Sequence, residues 1–428
     1  MNSILKPKKA ISLDCVILFL LAFSILYFLF GATAIVSLLP FWILGFLLLF
    51  IYLFLDLKLR NNKNLHIYKL LIIIFLTVLI SLTQITNEIY LRHNASPCLY
   101  THDGALQMEE AAKYLLHGEN PYTRDYFGTP LEELWGGKVN IVLEEGLENP
   151  ALYHFIMLPW HLFFSIPFYL ISMLAFGWYD QRVIYILLFA LSLLIAYKIP
   201  KKKSDKLLYL IIFAFNPIFV SHFSGGTNDI FVFFWVIWSI YLLKINKISW
   251  SALVLGLAVA SKHSAWFIVP FYFLYLFLKQ KEIFFLDKCK LVLKQTKWFW
   301  IAVVLLFGFF IIWDFGAFFE DIYKYPAGAL ATSYPINGMG FSVFLVAAGF
   351  IKSCRDYFPF IIIQLMAGIP LFYFLVKAQI KNNNLSQVMF NYGLFLFVFL
   401  FFSRFFHGNY IAYLSLIFMS AYFLGEES

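Results

Sequence analysis

The sequence predicts an all-α polytopic membrane protein: a bundle of about 12 transmembrane helices, with re-entrant or interfacial helices and a polar outer loop that carries short amphipathic helices. Three observations lead there. Hydrophobic residues are 62% of the 428, aromatics 21% and charged residues only 13%, a balance that water-soluble domains do not show. Apolar runs near the roughly 20 residues of a spanning helix recur along the chain. The polar residues collect in a few segments between those runs.

The runs fall at 13–31, 35–55, 68–86, 151–175, 181–199, 207–223, 230–244, 249–279, 298–313, 339–352, 357–378, 387–403 and 410–424. The first follows Lys6, Lys8 and Lys9, is longer than a signal core and has no small-x-small site after it, so it reads as a helix and not as a cleaved signal. The run 249–279 holds two short helices, broken near Ser261, Lys262 and His263. Residues 1–66 then form two N-terminal transmembrane helices ahead of a module at 67–428, whose large loop spans 87–180.

Basic residues orient the bundle. Lys6 to Lys9, Lys58 to Lys63, Lys201 to Lys203, Lys244 with Lys247, the lysines from Lys279 to Lys297, and Lys377 with Lys381 belong inside. These assignments agree if 151–175 and 339–352 dip in and return, or lie in the interface; Pro159 and Pro167 break the first and Gly349 with Lys352 shortens the second. Both chain ends are then cytoplasmic, and the 87–150 stretch faces out. The net charge of +8 is a product of this sidedness and argues for no nucleic-acid partner. The cysteines, Cys15, Cys98, Cys289 and Cys354, have neither CxxC nor metal spacing.

The stretch from His102 to Pro130, HDGALQMEEAAKYLLHGENPYTRDYFGTP, is acidic in an apolar chain. Met108, Ala112, Leu115 and Leu116 share a helical face, and Glu109 and Lys113 sit four apart where they can pair. Gly118 stops the helix and Pro121 prevents its restart. Two more polar groups share the outer face. One is Ser224 to Asp229, between two spans. The other is cationic: Lys262 and His263 at the break in 249–279, with Arg404 and His407 before the last helix. Charges this near hydrocarbon are costly and mark function. A lipid phosphate would set its anion on Lys262, Arg404 or His407, and a carboxylate nearby would take a proton from an acceptor hydroxyl.

These parts, in this order, resemble the GT-C superfamily of polytopic glycosyltransferases. The resemblance runs from about Ile67 to the C-terminus. It rests on HDGALQMEEAAKYLLHGENPY at 102–122, ENPALYHF at 148–155, DQRVIYILLFALSLLIAYKIPKKK at 180–203 and NPIFVSHFSGGTNDI at 216–230. SKHSAWFIVPF at 261–271, PINGMGFSVFLV at 335–346 and SRFFHGNYIAYL at 403–414 complete it. The stretch PINGMGFSVFLV is similar to the branch that uses polyprenol-phosphate-mannose.

The resemblance implies inverting transfer of a hexose from a polyprenyl-phosphate donor to a hydroxyl on a lipid or glycan acceptor, at the extracytoplasmic face of a plasma membrane. It implies Asp103 as the general base. The plainer reading of Asp103 is a helix N-cap, and the two roles are compatible. The substrate-binding candidates are Glu109, Glu110, Asp125, Asp229, Lys262, His263, Arg404 and His407. Against them stand a solvated helix face for Glu109 and Glu110, a turn for Asp125, a helix cap for Asp229 and snorkelling for Lys262 and His263. Some branches use a divalent metal through a diacidic motif; that motif has no counterpart here, and the metal question stays open. Two rivals remain: a multi-pass transporter, in which broken helices also occur, and a polymerase or ligase of lipid-linked glycans.

Overall fold

The computed structural model describes residues 11–30, 39–95, 99–281 and 284–425. Lys6, Lys8, Lys9 and Cys98 lie outside them. The fold is helical throughout, with two pairs of two-residue strands. Among the described residues, six helices are long and apolar enough to cross a membrane: Leu39–Lys58, Leu65–Asn94, Pro159–Phe176, Lys297–Ala327, Phe360–Lys381 and Gly408–Gly425. A seventh span exists if Lys203–Ala214 and Pro217–Gly225, bent by 48°, count as one. The bend follows from sequence. Pro217 offers no N–H to continue the first helix, and the Asn216 side chain accepts the Phe219 N–H to start the second. Shorter helices fill the remaining runs: Leu13–Phe30, Arg182–Lys198, Asp229–Lys244, Ile248–Val259, Val269–Lys279 and Leu385–Phe401.

The outward faces of the long helices are apolar, with Leu174 88% and Ile312 86% exposed. Such a surface is at home in lipid and aggregates in water. The expected break at Ser261 to His263 is present, as a 3₁₀ turn at His263–Ile268 between two helices. The run 339–352 forms only the seven-residue helix Phe341–Ala347. In the run 151–175 the break expected at Pro159 and Pro167 is absent. After a turn at Pro150–Leu152, its helix Pro159–Phe176 is unbroken for 18 residues and long enough to cross. Pro159 occupies the first turn, where its missing N–H costs nothing.

A buried ion cluster joins the first three helices. Lys69 Nζ lies 2.7 Å from Asp14 and 2.6 Å from Asp56, and it donates to Ser12 Oγ at 3.0 Å. Buried charges persist only with partners such as these. At the far end of the bundle, the 103–158 segment forms its own small core. Tyr122 sits there at the centre, its ring 5.1 Å from Phe155, 4.9 Å from Phe310 and 4.8 Å from Phe318. Phe310 and Phe318 belong to the Lys297–Ala327 helix, which kinks at Asp314 and loosens into a π turn at Glu320–Lys324. A parallel pairing of Asn337–Gly338 with Phe405–Phe406 anchors the loop after that helix. Gly338 has φ 93° and a Cβ there would fall 2.0 Å from the Phe406 carbonyl oxygen, so only glycine fits.

Candidate acid–base site

The helix Asp103–Leu116 starts one residue earlier in cap terms than its sequence suggests. His102 is the N-cap and Asp103 the first helical residue. The helix ends at Leu116, and Gly118 turns the chain away with φ 78°, as its sequence predicts. The His102 N–H donates to the Gly225 carbonyl at 2.8 Å, which fastens the helix start to the end of Pro217–Gly225. His102 Nδ1 lies 2.7 Å from Asp103 Oδ1. The Gly104 N–H also reaches Asp103 Oδ1, at 2.6 Å, so a protonated ring donates to the carboxylate without orphaning that amide.

The side chains of His102 and Asp103 are 47% and 19% exposed, accessible to a ligand. Burial favours neutral Asp103, but the His102 imidazole and the Gly104 N–H outweigh it, and His407 adds to them. The carboxyl is held below the usual carboxylate range. Burial works against charge on His102, and Asp103 outweighs that, raising the ring's pKa. Asp103 is therefore an ionised, oriented and reachable carboxylate at neutral pH.

Beside it stands a second charged pair. Lys262 Nζ donates to Asp229 Oδ1 and to Asn228 Oδ1, each at 2.7 Å. Asn409 holds the other oxygen of Asp229 at 2.9 Å, and the ammonium lies 5.6 Å from the Tyr410 ring centre. Asp229 and Lys262 both act electrostatically on His102. His407 stacks on Phe405 and meets Tyr334 edge-on. Burial, helped by repulsion from His102, lowers its pKa to about 4, so it is neutral at pH 7. Asp103, Asp229, Lys262 and His407 thus form one neighbourhood, drawn from four separate parts of the chain.

The other sequence candidates are engaged elsewhere. Glu109 does not pair with Lys113. Arg92 grips it through two bonds, at 2.8 and 2.6 Å, and the Gln181 N–H adds a third at 2.9 Å. Lys113 pairs with Glu110 instead, at 2.6 Å and three residues apart. Asp125 is exposed and accepts the Phe127 N–H at 3.3 Å, a turn role. His263 points to the Ile322 carbonyl, 3.0 Å away. Arg404 is 2% exposed, and its guanidinium donates to the carbonyls of Tyr334, Cys354, Arg355 and Asp356. Burial pushes its pKa down to about 10. It braces the 328–356 loop and has little capacity left for a phosphate.

Two features escaped the sequence reading. Arg92, Asp180 and Arg182 build a buried network around Glu109: Asp180 Oδ2 lies 2.8 Å from both guanidinia. The other is a chain of three side chains. Asp321 Oδ1 lies 2.7 Å from His154 Nδ1, and His154 Nε2 lies 2.7 Å from Thr332 Oγ1. His154 sits inside the ENPALYHF stretch, and the Glu320-Asp321 pair interrupts an apolar region; only their meeting was illegible. Among the described residues, no three His, Cys, Asp or Glu side chains converge in a way that could hold a metal ion. An apolar hollow lined by Phe168, Ile171, Phe176, Trp178 and Tyr179 contains none of the acid–base groups.

Comparison with protein-family models, with curated proteins and with solved structures finds no match to this chain.

Proposed function

We propose that this chain is a membrane glycosyltransferase of the GT-C kind. It moves a hexose from a polyprenyl-phosphate donor to a hydroxyl of a lipid or glycan acceptor, with inversion, at the extracytoplasmic face. In this reading Pro159–Phe176 lies in the interface, the shorter and broken helices also cross, giving about 12 spans, and the 103–158 module lies outside. Mannose from the polyprenol-phosphate-mannose branch is the first sugar to test.

The observation that carries the reading is the ionised, ligand-accessible carboxylate of Asp103 beside the Lys262–Asp229 pair, at one end of an apolar bundle. Asp103 removes the acceptor's proton while Lys262 meets the departing phosphate; Asp229 and Asn409 position the lysine. Such a base contributes about 10²- to 10⁴-fold in rate. Arg404 and Glu109 serve here as braces and not as ligands.

A second reading, a transporter, draws on the 48° break between Lys203–Ala214 and Pro217–Gly225 and on the charges at the helix break near Lys262. The deciding experiment uses purified protein in nanodiscs and a panel of radiolabelled polyprenyl-phosphate sugars, with Asp103→Asn alongside wild type. Turnover of one donor, lost in the variant while its fold persists, supports glycosyl transfer. Binding without turnover, in the presence of candidate acceptors, favours the transporter.

A further inference from the structure

The Lys297–Ala327 helix does something unusual near its end. Asp314 leaves helical geometry and its Oδ1 accepts the Ala317 N–H at 3.0 Å, which restarts the helix on a new line. The π turn that follows carries Asp321, 3% exposed, to the 103–158 module; such turns recur at functional sites. There Asp321 is fully occupied. One oxygen meets His154 Nδ1 at 2.7 Å and the other accepts the Phe155 N–H at 2.8 Å. Tyr325 lies against the imidazole, 4.6 Å between ring centres, and limits its tilt.

A carboxylate on Nδ1 selects the tautomer or charge state that keeps a proton there. Nε2 then faces Thr332 Oγ1. Unlike its two buried partners, Thr332 is half-buried, in the 328–336 loop. That loop is anchored by Arg404 through the Tyr334 carbonyl. Tyr325 senses both Asp321 and Asp103, and Tyr334 senses Asp103. The hydroxyl therefore stands at the border of the neighbourhood already described, backed by an imidazole and a carboxylate. This is the arrangement by which proteins set the proton on a hydroxyl.

We propose that Asp321, His154 and Thr332 form a proton-donating arm for the leaving phosphate, opposite the Asp103 base. The inference rests on the glycosyl-transfer reading. With His154 protonated, Nδ1–H donates to Asp321 and Nε2–H donates to Thr332 Oγ1, which frees the Thr332 O–H to point at a phosphate oxygen. In the transfer step the acceptor hydroxyl loses its proton to Asp103 and its oxygen bonds to the sugar's anomeric carbon. The bond from that carbon to the phosphate oxygen breaks, and its electron pair stays on the phosphate. A phosphate oxygen takes the Thr332 proton, and Thr332 takes one from His154 Nε2. Water restores His154 and receives the proton from Asp103. The second ionisation of a phosphate monoester lies near pH 6, so the departing phosphate can take up a proton near neutral pH. Thr332 touches the substrate; His154 supplies the proton through it, and Asp321 is a positioning residue. The groups facing this imidazole and its carboxylate are Tyr325 and Tyr153 beside the ring, and Glu320, Tyr122 and Tyr126, which act on Asp321 or are acted on by it.

The test compares two donors in nanodiscs: the polyprenyl-phosphate sugar that wild type turns over, and its analogue with a difluoromethylene in place of the lipid's bridging oxygen. The analogue's leaving group is the weaker base and needs less protonation. His154→Gln and Thr332→Val are expected to slow the natural donor about a hundredfold and the analogue at least tenfold less. Thr332→Ser should restore most of the rate. Wild-type turnover should fall at alkaline pH, and that fall should disappear in His154→Gln. Equal slowing of both donors, or variants with wild-type rate and pH profile, overturns the arm while leaving glycosyl transfer intact. If His154→Gln does not fold, Thr332→Val decides, since its site is a half-buried loop. If wild type turns over no donor, the arm falls together with the glycosyl-transfer reading.

Discussion

Asp103 and Glu109 lie on one helix, about 9 Å apart along its axis, and their surroundings are built oppositely. Glu109 is enclosed: Arg92 and the Gln181 N–H occupy both its oxygens, and Asp180 and Arg182 close the network behind them. Asp103 keeps one oxygen on His102 and Gly104 and remains reachable by a ligand. Both are acids near hydrocarbon, so location alone does not separate them. The difference is saturation. A buried carboxylate with both oxygens bonded is a clamp, and one with an oxygen to spare can do chemistry.

The sharpest way to break this comparison is to neutralise each acid in turn. Asp103→Asn should reduce single-turnover transfer by about 10²- to 10⁴-fold with little change in thermal unfolding. Glu109→Gln should do the reverse, keeping the rate per folded molecule while unfolding earlier. A rate loss in Glu109→Gln as large as that in Asp103→Asn would erase the distinction. Next in size is Arg92→Met, which leaves Glu109 without its cation. A buried ion pair broken on one side costs about 3–5 kcal/mol, measurable as a lower midpoint in a denaturant or thermal series.

Lys262 tests the neighbourhood around Asp103. Lys262→Gln should weaken donor binding about tenfold, the scale of one hydrogen bond to a charged group. It also strands Asp229. The double variant Lys262→Gln with Asp229→Asn should therefore recover stability but not binding. Recovery of both would make the pair a structural brace.

The smallest effect is in pH. His102 has a raised pKa, so its stabilisation is complete below the ordinary histidine value near 6.5 and is lost as pH rises through the raised value. Asp103 has a lowered pKa, so its share is present above about pH 4 and is lost on further acidification. The difference in unfolding temperature between wild type and His102→Gln should therefore be greatest between about pH 4 and 6.5 and shrink at alkaline pH. A difference that stays the same from about pH 4 to alkaline pH would mean that the two side chains do not stabilise each other.

Much of the fold was legible. Apolar runs of spanning length, the break near Lys262, the stop at Gly118 and the shortness of 339–352 follow from local chemistry, because helix ends and breaks obey neighbours along the chain. The Pro159–Phe176 helix was less legible. Two prolines suggested a break, yet Pro159 sits harmlessly at the first turn, and the helix runs through Pro167. Of the site, Asp103, Asp229, Lys262 and His407 were visible as charges at span ends. Glu109 and Arg404 were visible too, but not their engagement. Arg92, Asp180 and the carbonyls of Tyr334 to Asp356 come from distant segments, and nothing local marks them as partners.

The sequence by itself determined the class of this protein, a helical chain whose surface suits a membrane, because hydrophobicity and helix signals are properties of single segments. It also marked where charge is concentrated at the ends of apolar runs. Tertiary structure alone decided which of those charges are spent. Arg404 is absorbed by four carbonyls and Glu109 by Arg92, while His154 is brought to Asp321 and Thr332 across 167 and 178 residues of chain. The physical reason is that hydrogen-bond saturation depends on which groups meet, and in this fold the groups that meet come from far apart in sequence.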